Sequence, residues 1–159
     1  MNSRESSEYE IDISNQQKVL PVDVALLRQT IEAALSLEDV GAAVLSITIV
    51  DNEAIHRLNR EHLQHDYPTD VISFPLECSD EMVEGEIVAS AEMACQMAAS
   101  GQWSPQDELR LYVVHGLLHL CGYDDLTPNE KSMMRERERA IMGHFGLNVV
   151  HAAETDSES

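Results

Sequence analysis

The sequence predicts an α+β protein: a single domain in which a small mixed β-sheet of about four strands packs with about five helices. Two observations indicate this class. Short apolar or alternating segments bounded by Gly, Pro and acidic residues, typical of strands, concentrate before residue 91. Amphipathic segments with helical spacing and capping residues dominate after it. This separation of strands and helices along the chain favours an architecture in which helices pack on a small sheet.

The strands are predicted from local patterns. Weak alternation of Tyr9, Ile11 and Ile13 with acidic residues predicts a first strand at 8–14. A β-branched and apolar run predicts a second at 43–50. Two short apolar runs, DVISFP at 70–75 and GEIVAS at 85–90, predict the third and fourth, with SDEMVEGE between them as a solvated loop.

The helices are predicted from periodicity and caps. Apolar residues recur at helical spacing over 22–37, and a helix begins at Asp51, an N-cap candidate. Pro105 suits the first position of a later helix, and TPNE, which begins at Thr127, is a capping box. The three helices of the second half are therefore expected at 92–100, 104–121 and 127–144.

The length of 159 residues predicts one domain over residues 1–150, followed by a disordered acidic tail at 151–159. The N-terminus lacks the apolar stretch of a signal peptide, and no run of about 18 apolar residues occurs, so we expect a cytoplasmic protein with no membrane partner. Its three cysteines are odd in number and form no CxxC pair. They predict neither a disulfide framework nor a thiolate zinc cage, and they suit a reducing compartment.

The formal net charge of −19 argues against an extended nucleic-acid surface, because phosphate binding depends on clustered Lys and Arg. Six of the ten basic residues nevertheless fall in two places, so a local basic patch is compatible with the sequence. These residues are Arg57 and Arg60, then Lys131, Arg135, Arg137 and Arg139.

The segment HGLLHLCGYDD is the candidate metal site. His115 and His119 are four residues apart on a predicted helix, so both imidazoles project from one face. Gly122 permits the turn that brings Asp125 back as a third ligand. Three ligands leave one coordination position open, which is typical of catalytic zinc. The zinc-protease pattern HExxH is absent, because Gly116 stands in place of its glutamate.

Two motifs and one strand carry a family resemblance. PTDVISFP, HGLLHLCGYDD and GEIVAS resemble the PTDVLSFP, HGxLHLxGYDH and GDIxIS segments of the YbeY-type endoribonucleases, or rRNA maturation factors, over roughly residues 8–146. The resemblance implies a bacterial, cytoplasmic, zinc-dependent and single-strand-specific endoribonuclease with one Zn²⁺ per chain. It implies action in 16S rRNA 3′-end maturation and in ribosome quality control. The implied partners are ribosomal RNA and the small ribosomal subunit, with ribosomal or GTPase assembly proteins as further candidates.

The chain departs from the family pattern at the third ligand, where the family has His and this sequence has Asp125. A carboxylate lowers the charge of the site by one, so we expect weaker Lewis acidity and a choice of metal that extends from zinc to manganese or iron. Asp124 is an alternative third ligand, in which case Asp125 lies outside the metal site. Both assignments are open at this stage.

A second departure lies upstream, where Leu63 occupies the position of a family arginine that suits phosphate contact. His62, His65 and Arg60 are nearby and one of them could replace that charge, although an exposed polar loop is the better explanation for each of them taken singly.

The residue that performs proton transfer is unknown from the sequence. Its candidates are His65, Asp66 and Asp70, of which the two aspartates are also explained by turn formation around Pro68 and capping of the strand.

Two other functions compete with the nuclease. One is a ribosome-associated binding or assembly factor without turnover, and the other is a metal hydrolase with another substrate.

Overall fold

A computed structural model of the chain describes residues 8–62, 69–79, 81–99 and 103–149. Its centre is a four-stranded mixed sheet in the order β1-β2-β4-β3. The three strands β1, β2 and β4 are parallel, and β3 runs antiparallel to β4. The strands are β1 (Glu8–Asn15), β2 (Ala42–Val50), β3 (Val71–Pro75) and β4 (Met82–Ser90). The predicted mixed sheet of four strands is confirmed.

Five helices accompany the sheet within the described residues, as the sequence predicted. Their starts are fixed by side chains that satisfy free N–H groups. Ser104 accepts from Asp107 N ahead of Pro105, and Thr127 forms a capping box with Glu130. The helices are α1 (Val24–Leu37), α2 (Asn52–His62), α3 (Ala91–Ala99), α4 (Pro105–Leu120) and α5 (Pro128–Gly143).

One expected loop is part of the sheet. The segment SDEMVEGE was predicted to be a solvated loop, but β4 already begins at Met82. Residues Met82 to Glu84 pair in parallel with Ala42 to Val44 of β2, and Val83 is buried on the inner face. The acidic composition hid this strand because its polar side chains occupy the outward positions of a period-2 pattern.

The two faces of the sheet bury different apolar sets, as alternation along a strand requires. One face carries Leu45, Ile47 and Ile87 into the main core against α1 and α4. On the opposite face α2 covers a smaller cluster of Val50, Ile55, Ile72 and Val88. The sheet is thus a middle layer, and α4 packs on the side with the larger core.

None of the helices in the described part of the chain is both long enough and apolar enough to span a membrane.

Gly85 of β4 allows the end of α4 to approach the sheet closely. A Cβ at this position would lie 2.9 Å from the carbonyl oxygen of Phe74 and 2.9 Å from Cδ2 of Leu120. A contact of that length with backbone forces the strand or α4 to move. The glycine therefore fixes the distance between the sheet and the last turn of α4.

We expect Gly85→Ala to lower the free energy of unfolding by about 1–3 kcal/mol, the usual cost of overpacking a core. Gly143→Ala is the matched control, because a Cβ there meets no neighbouring atom and alanine is the better helix former. Urea unfolding of both variants measures the difference. Equal stability of Gly85→Ala and the wild type would contradict the close packing.

Candidate metal centre

The two histidines of the predicted site lie on α4, which is buried along most of its length. Residues Val113, Val114, Leu117 and Leu118 are fully buried, so the helix has little freedom to rotate. The side chains of His115 and His119 are 29% and 26% exposed, and their ring centroids lie 4.8 Å apart. Helical spacing thus places both rings side by side on a part of α4 that is open to solvent.

The end of α4 turns the chain back toward these rings. Gly122 adopts a φ of +105°, a left-handed conformation in which glycine avoids the strain of a side chain. The N–H groups of Gly122 and Tyr123 donate to the carbonyls of His119 and Leu118 and close the helix. The following residues can then cross the helix end, and Asp125 returns to the histidines.

Three electron-pair donors meet at this point. Oδ2 of Asp125 lies 3.5 Å from Nε2 of His115 and 3.7 Å from Nε2 of His119. Among the described residues, His115, His119 and Asp125 form the group whose donor atoms could hold a metal ion, all within 4.8 Å of one another. Both N–O distances exceed the usual length of a hydrogen bond.

The spacing suits a divalent cation. Zinc binds imidazole nitrogen and carboxylate oxygen at about 2.0–2.2 Å, so two donors at tetrahedral positions lie about 3.4 Å apart. The observed 3.5 Å and 3.7 Å are close to that separation. An ion between these atoms would also offset the negative charge of Asp125. The chemistry and the spacing of the donor set therefore fit a metal.

Asp124 contacts the backbone of Asp125 and lies outside the group of three donors. Its Oδ1 accepts the backbone N–H of Asp125 at 3.2 Å, and the residue is exposed. This contact stabilises the turn that carries Asp125. The geometry brings Asp125, and not Asp124, to the two histidines.

A fourth residue, Glu138 of α5, was missed by the sequence reasoning. Its Oε2 lies 2.5 Å from Nδ1 of His115, and its side chain is 4% exposed. A signal was available, because Glu138 shares a helical face with Met134, Ile141 and Met142, all buried. A carboxylate among core-facing positions needs a partner, which here is the histidine ring.

The hydrogen bonds of the Nδ1 atoms define the tautomers of both rings. Nδ1–H of His115 donates to the carboxylate of Glu138, and Nδ1–H of His119 donates to the carbonyl of Tyr123 at 3.1 Å. With the proton on Nδ1, each neutral ring presents the lone pair of Nε2 to Asp125. In its neutral form, each histidine can therefore bind a metal through Nε2.

The electrostatic potential at His115 is negative. Burial alone would lower the pKa of His115, but the hydrogen bond and charge of Glu138, with the charges of Asp70 and Asp125, outweigh it and raise the pKa above its ordinary value. A potential that favours a proton on the ring also favours a cation beside it. The site attracts positive charge before any substrate is present.

Tyr123 lies in the segment that follows α4 and connects this segment to the end of α1 and to α5. Its hydroxyl donates to Oε1 of Glu38 at 2.9 Å, and Nε of Arg137 donates to Oε2 of the same carboxylate at 2.7 Å. Burial and the hydrogen bond to Glu38 raise the pKa of Tyr123, so its hydroxyl keeps its proton. The contact also pairs Arg137, one of the clustered basic residues, with a carboxylate.

Gly116 explains the absence of a protease-type glutamate. A Cβ at Gly116 would lie 3.0 Å from Cγ2 of Ile87 and 3.2 Å from Cγ2 of Val71, against the sheet. A glutamate at this position would be forced between α4 and the strands. The missing HExxH motif is thus a packing requirement of this helix, which leaves no room for that general base.

The sequence-based candidates for proton transfer are only partly covered by the structure. His65 and Asp66, together with Leu63, lie outside the described residues. Asp70 is exposed and its Oδ1 accepts the N–H of Val71 at 2.7 Å, which is the strand-capping role. Its charge also contributes to the raised pKa of His115. A catalytic role for any of these residues stays a prediction.

His62 and Arg60, considered as replacements for the family arginine, are exposed at the end of α2. The ring of His62 packs edge-on against Phe74, with centroids 5.8 Å apart.

Cys121, two residues beyond His119, has the properties of a packing residue. Burial raises the pKa of its thiol to about 12, so the sulfur is protonated at neutral pH. All three cysteines are free thiols, as the sequence predicted.

Comparisons with known proteins show the family to which the chain is similar. The family model described as "Endoribonuclease YbeY" matches residues 12–146. A curated relative of that name from Rhodopirellula baltica is 47% identical over 133 residues, which are 82% of this chain and 69% of the relative. Another, from Carboxydothermus hydrogenoformans, is 42% identical over 139 residues, which are 86% of this chain and 97% of the relative.

A solved structure has a similar fold. The solution structure of a Thermotoga maritima protein matches with a TM-score of 0.60 and 26% sequence identity. The match covers 86% of this chain and 91% of that protein. The similarity thus covers most of the length of both proteins.

We expect Tyr123→Phe to lower the free energy of unfolding by about 1–2 kcal/mol, because a hydrogen bond to a carboxylate is lost. The double variant with Glu38→Ala should lose less than the sum of the two single changes, with an interaction energy of about 1 kcal/mol. Thermal or urea unfolding of the four proteins of this cycle measures the coupling. Additive losses would show that the contact contributes nothing to stability.

Proposed function

This chain belongs to the YbeY endoribonuclease family, and we propose that it is itself a metal-dependent endoribonuclease that acts on ribosomal RNA. The proposed reaction is hydrolysis of phosphodiester bonds in single-stranded RNA. Its proposed place is 16S rRNA 3′-end maturation and ribosome quality control in the cytoplasm. The observation that carries the proposal is the convergence of His115, His119 and Asp125 with both Nε2 lone pairs directed inward.

The three residues would hold one divalent cation per chain, with Asp125 and not Asp124 as the third ligand. When bound, such an ion supplies Lewis acidity toward a phosphoryl oxygen and lowers the pKa of water. His115, His119 and Asp125 are each between a quarter and about a third exposed, so one side of the site is open to a substrate. An open side is typical of catalytic rather than structural sites.

Zinc is the proposed metal, because two imidazoles and one carboxylate are a set that zinc accepts. The same set also suits manganese and iron, and iron oxygenases use two histidines and one carboxylate. The carboxylate of Asp125 adds a negative charge that a third histidine would not. We therefore expect a broader choice of metal than in family members with three histidines.

Substrate binding has to be reconciled with the net charge of −19. With Arg137 paired to Glu38, the exposed or half-exposed basic residues of the two sequence clusters are on α2 and α5. They are Arg57, Arg60, Lys131, Arg135 and Arg139. Such a set would contact a short single-stranded segment, and ribosomal or GTPase assembly proteins on the small subunit would help to deliver it.

A binding or assembly factor without turnover is the second candidate. The observation that favours it is the strongly acidic surface, which suits binding within a particle better than capture of free RNA. The two functions differ in whether purified protein cleaves RNA.

We expect Asp125→Ala to weaken zinc binding by more than about 100-fold, because changes to residues outside the ligands of a metal site already cost about 10- to 100-fold. Asp124→Ala is the matched control and should bind zinc like the wild type. His115→Ala should lose the metal while its circular dichroism spectrum is retained. Competition with a chromophoric chelator measures all four proteins. Loss of zinc by Asp124→Ala and not by Asp125→Ala would reverse the assignment.

We expect the wild type to cleave a single-stranded ribosomal RNA fragment with added zinc and to lose this activity in chelator. Asp125→Ala, purified in parallel, should be inactive in both conditions. Equal cleavage by both proteins in chelator would indicate a contaminating nuclease and would leave the binding function as the better proposal.

Salt dependence of RNA binding tests the size of the basic surface. Contacts to three to five phosphates predict a slope of log K against log salt of about −2 to −3.5. A slope near zero would point to a hydrolase with another, less charged substrate.

A further inference from the structure

Glu138 occupies a position where an apolar residue would be expected. It is 3% exposed and lies on the face of α5 that also buries Met134, Ile141 and Met142. Burial of an ionised carboxylate costs free energy that an apolar side chain of similar volume avoids. Stability alone therefore does not explain the residue. Its contact with Nδ1 of His115 at 2.5 Å is what an apolar residue could not provide.

The contact determines which nitrogen of His115 is available. A neutral imidazole carries its proton on either nitrogen, and a ring without a partner exchanges between the two forms. The carboxylate of Glu138 accepts from Nδ1–H, so the lone pair of Nε2 faces Oδ2 of Asp125. A negative partner also increases the electron density that Nε2 can offer to a cation.

His119 is held in the same tautomer by a backbone carbonyl instead of a carboxylate. Its Nδ1–H donates to the carbonyl of Tyr123, which has no charge of its own. The position of that carbonyl is held by the side chain of Tyr123, whose hydroxyl donates to Glu38. Glu38 lies at the C-cap of α1 and is also bound by Arg137.

Consecutive residues of α5 therefore serve the two histidines. Arg137 holds Glu38 on one side of the helix, and Glu138 reaches His115 on the other. Neighbouring positions on a helix point in directions about 100° apart. One helix can support both rings because α5 contacts both α4 and α1.

Resting on the function proposed above, we propose that Glu138 and Glu38 are positioning residues of the metal centre. Neither needs to touch the metal. Glu138 holds His115 directly, and Glu38 holds His119 through Tyr123, so that each neutral ring carries its proton on Nδ1 and leaves the lone pair of Nε2 available to the metal. The carboxylates thereby raise metal affinity by preparing the two imidazole ligands.

The experiment compares Glu138→Ala, Glu138→Gln and Glu38→Ala with the wild type, and Glu136→Ala and Glu136→Gln are the controls. Glu136 is an exposed glutamate of the same helix, so its loss changes the net charge equally without touching either histidine. Two quantities are measured on the full chain. Imidazole ¹⁵N NMR of metal-free protein, at a pH where the rings are neutral, gives the tautomers. Chelator competition with zinc alone gives the dissociation constant.

We expect Glu138→Ala to return His115 to a mixture of tautomers and to raise the zinc dissociation constant by about 10- to 100-fold. Glu138→Gln retains an acceptor for Nδ1–H, so the tautomer should persist while the dissociation constant rises by about tenfold through the lost charge. Glu38→Ala should change the NMR signals of His119 and not those of His115. Both Glu136 variants should match the wild type.

The proposal is overturned if the tautomers of His115 and His119 are the same in the alanine variants as in the wild type. If Glu138→Ala does not fold, Glu138→Gln decides, and zinc binding equal to that of the wild type overturns the role of Glu138. Failure of the proposed function looks different. The wild type would then bind no zinc, while the tautomers of the metal-free protein would still report on the two carboxylates.

Discussion

Close packing of α4 on the sheet is the constraint on which the rest of the structure depends. Gly116 lies against Ile87 and Val71, and Gly85 lies under Leu120, so neither contact leaves space for a side chain. Leucine and valine residues on the remaining faces of α4 are buried against α1, α3 and α5. The helix is thereby held at one depth and one rotation. His115 and His119 can point only toward the gap that Asp125 closes.

The metal centre follows from this packing and from the turn after α4. A left-handed glycine ends the helix at the place where the chain must reverse, and Asp124 stabilises the reversal through the N–H of Asp125. Two carboxylates, Asp125 in the site and Glu138 behind it, make the potential there strongly negative. In a metal-free protein these charges repel each other, and a divalent cation would relieve the repulsion. The same arrangement would therefore favour a cation at this position.

Some of the acidic residues of the protein lie in the candidate metal site or support it. Glu38, Asp125 and Glu138 belong to the candidate site and its supports, and Glu38 and Glu138 are each bound to a basic side chain or a histidine ring. Positive charge is equally local, since the clustered basic residues lie on α2 and α5 and one of them, Arg137, is paired with Glu38. Electrostatic steering by the whole surface would oppose RNA, so specific contacts near the metal have to do the binding.

The fold and the two histidines could be predicted from the sequence because their signals are local. Period-2 and helical patterns, Pro105 and the capping box at Thr127 depend on residues a few positions apart, and so does the spacing of His115 and His119. The start of β4 could not be predicted in this way, because Met82 to Glu84 become a strand by pairing with a segment 40 residues away. An acidic segment carries little sign of such a partner.

The sequence by itself therefore determined which residue types are available for a metal and which elements carry them. Only the tertiary structure decided that Asp125 and not Asp124 reaches the histidines, that Glu138 is bound to His115, and that Arg137 is paired with Glu38. The last two contacts depend on how α4, α5 and the end of α1 meet in space, over separations of 23 and 99 residues along the chain. Contacts at that range follow from packing, which no local pattern encodes.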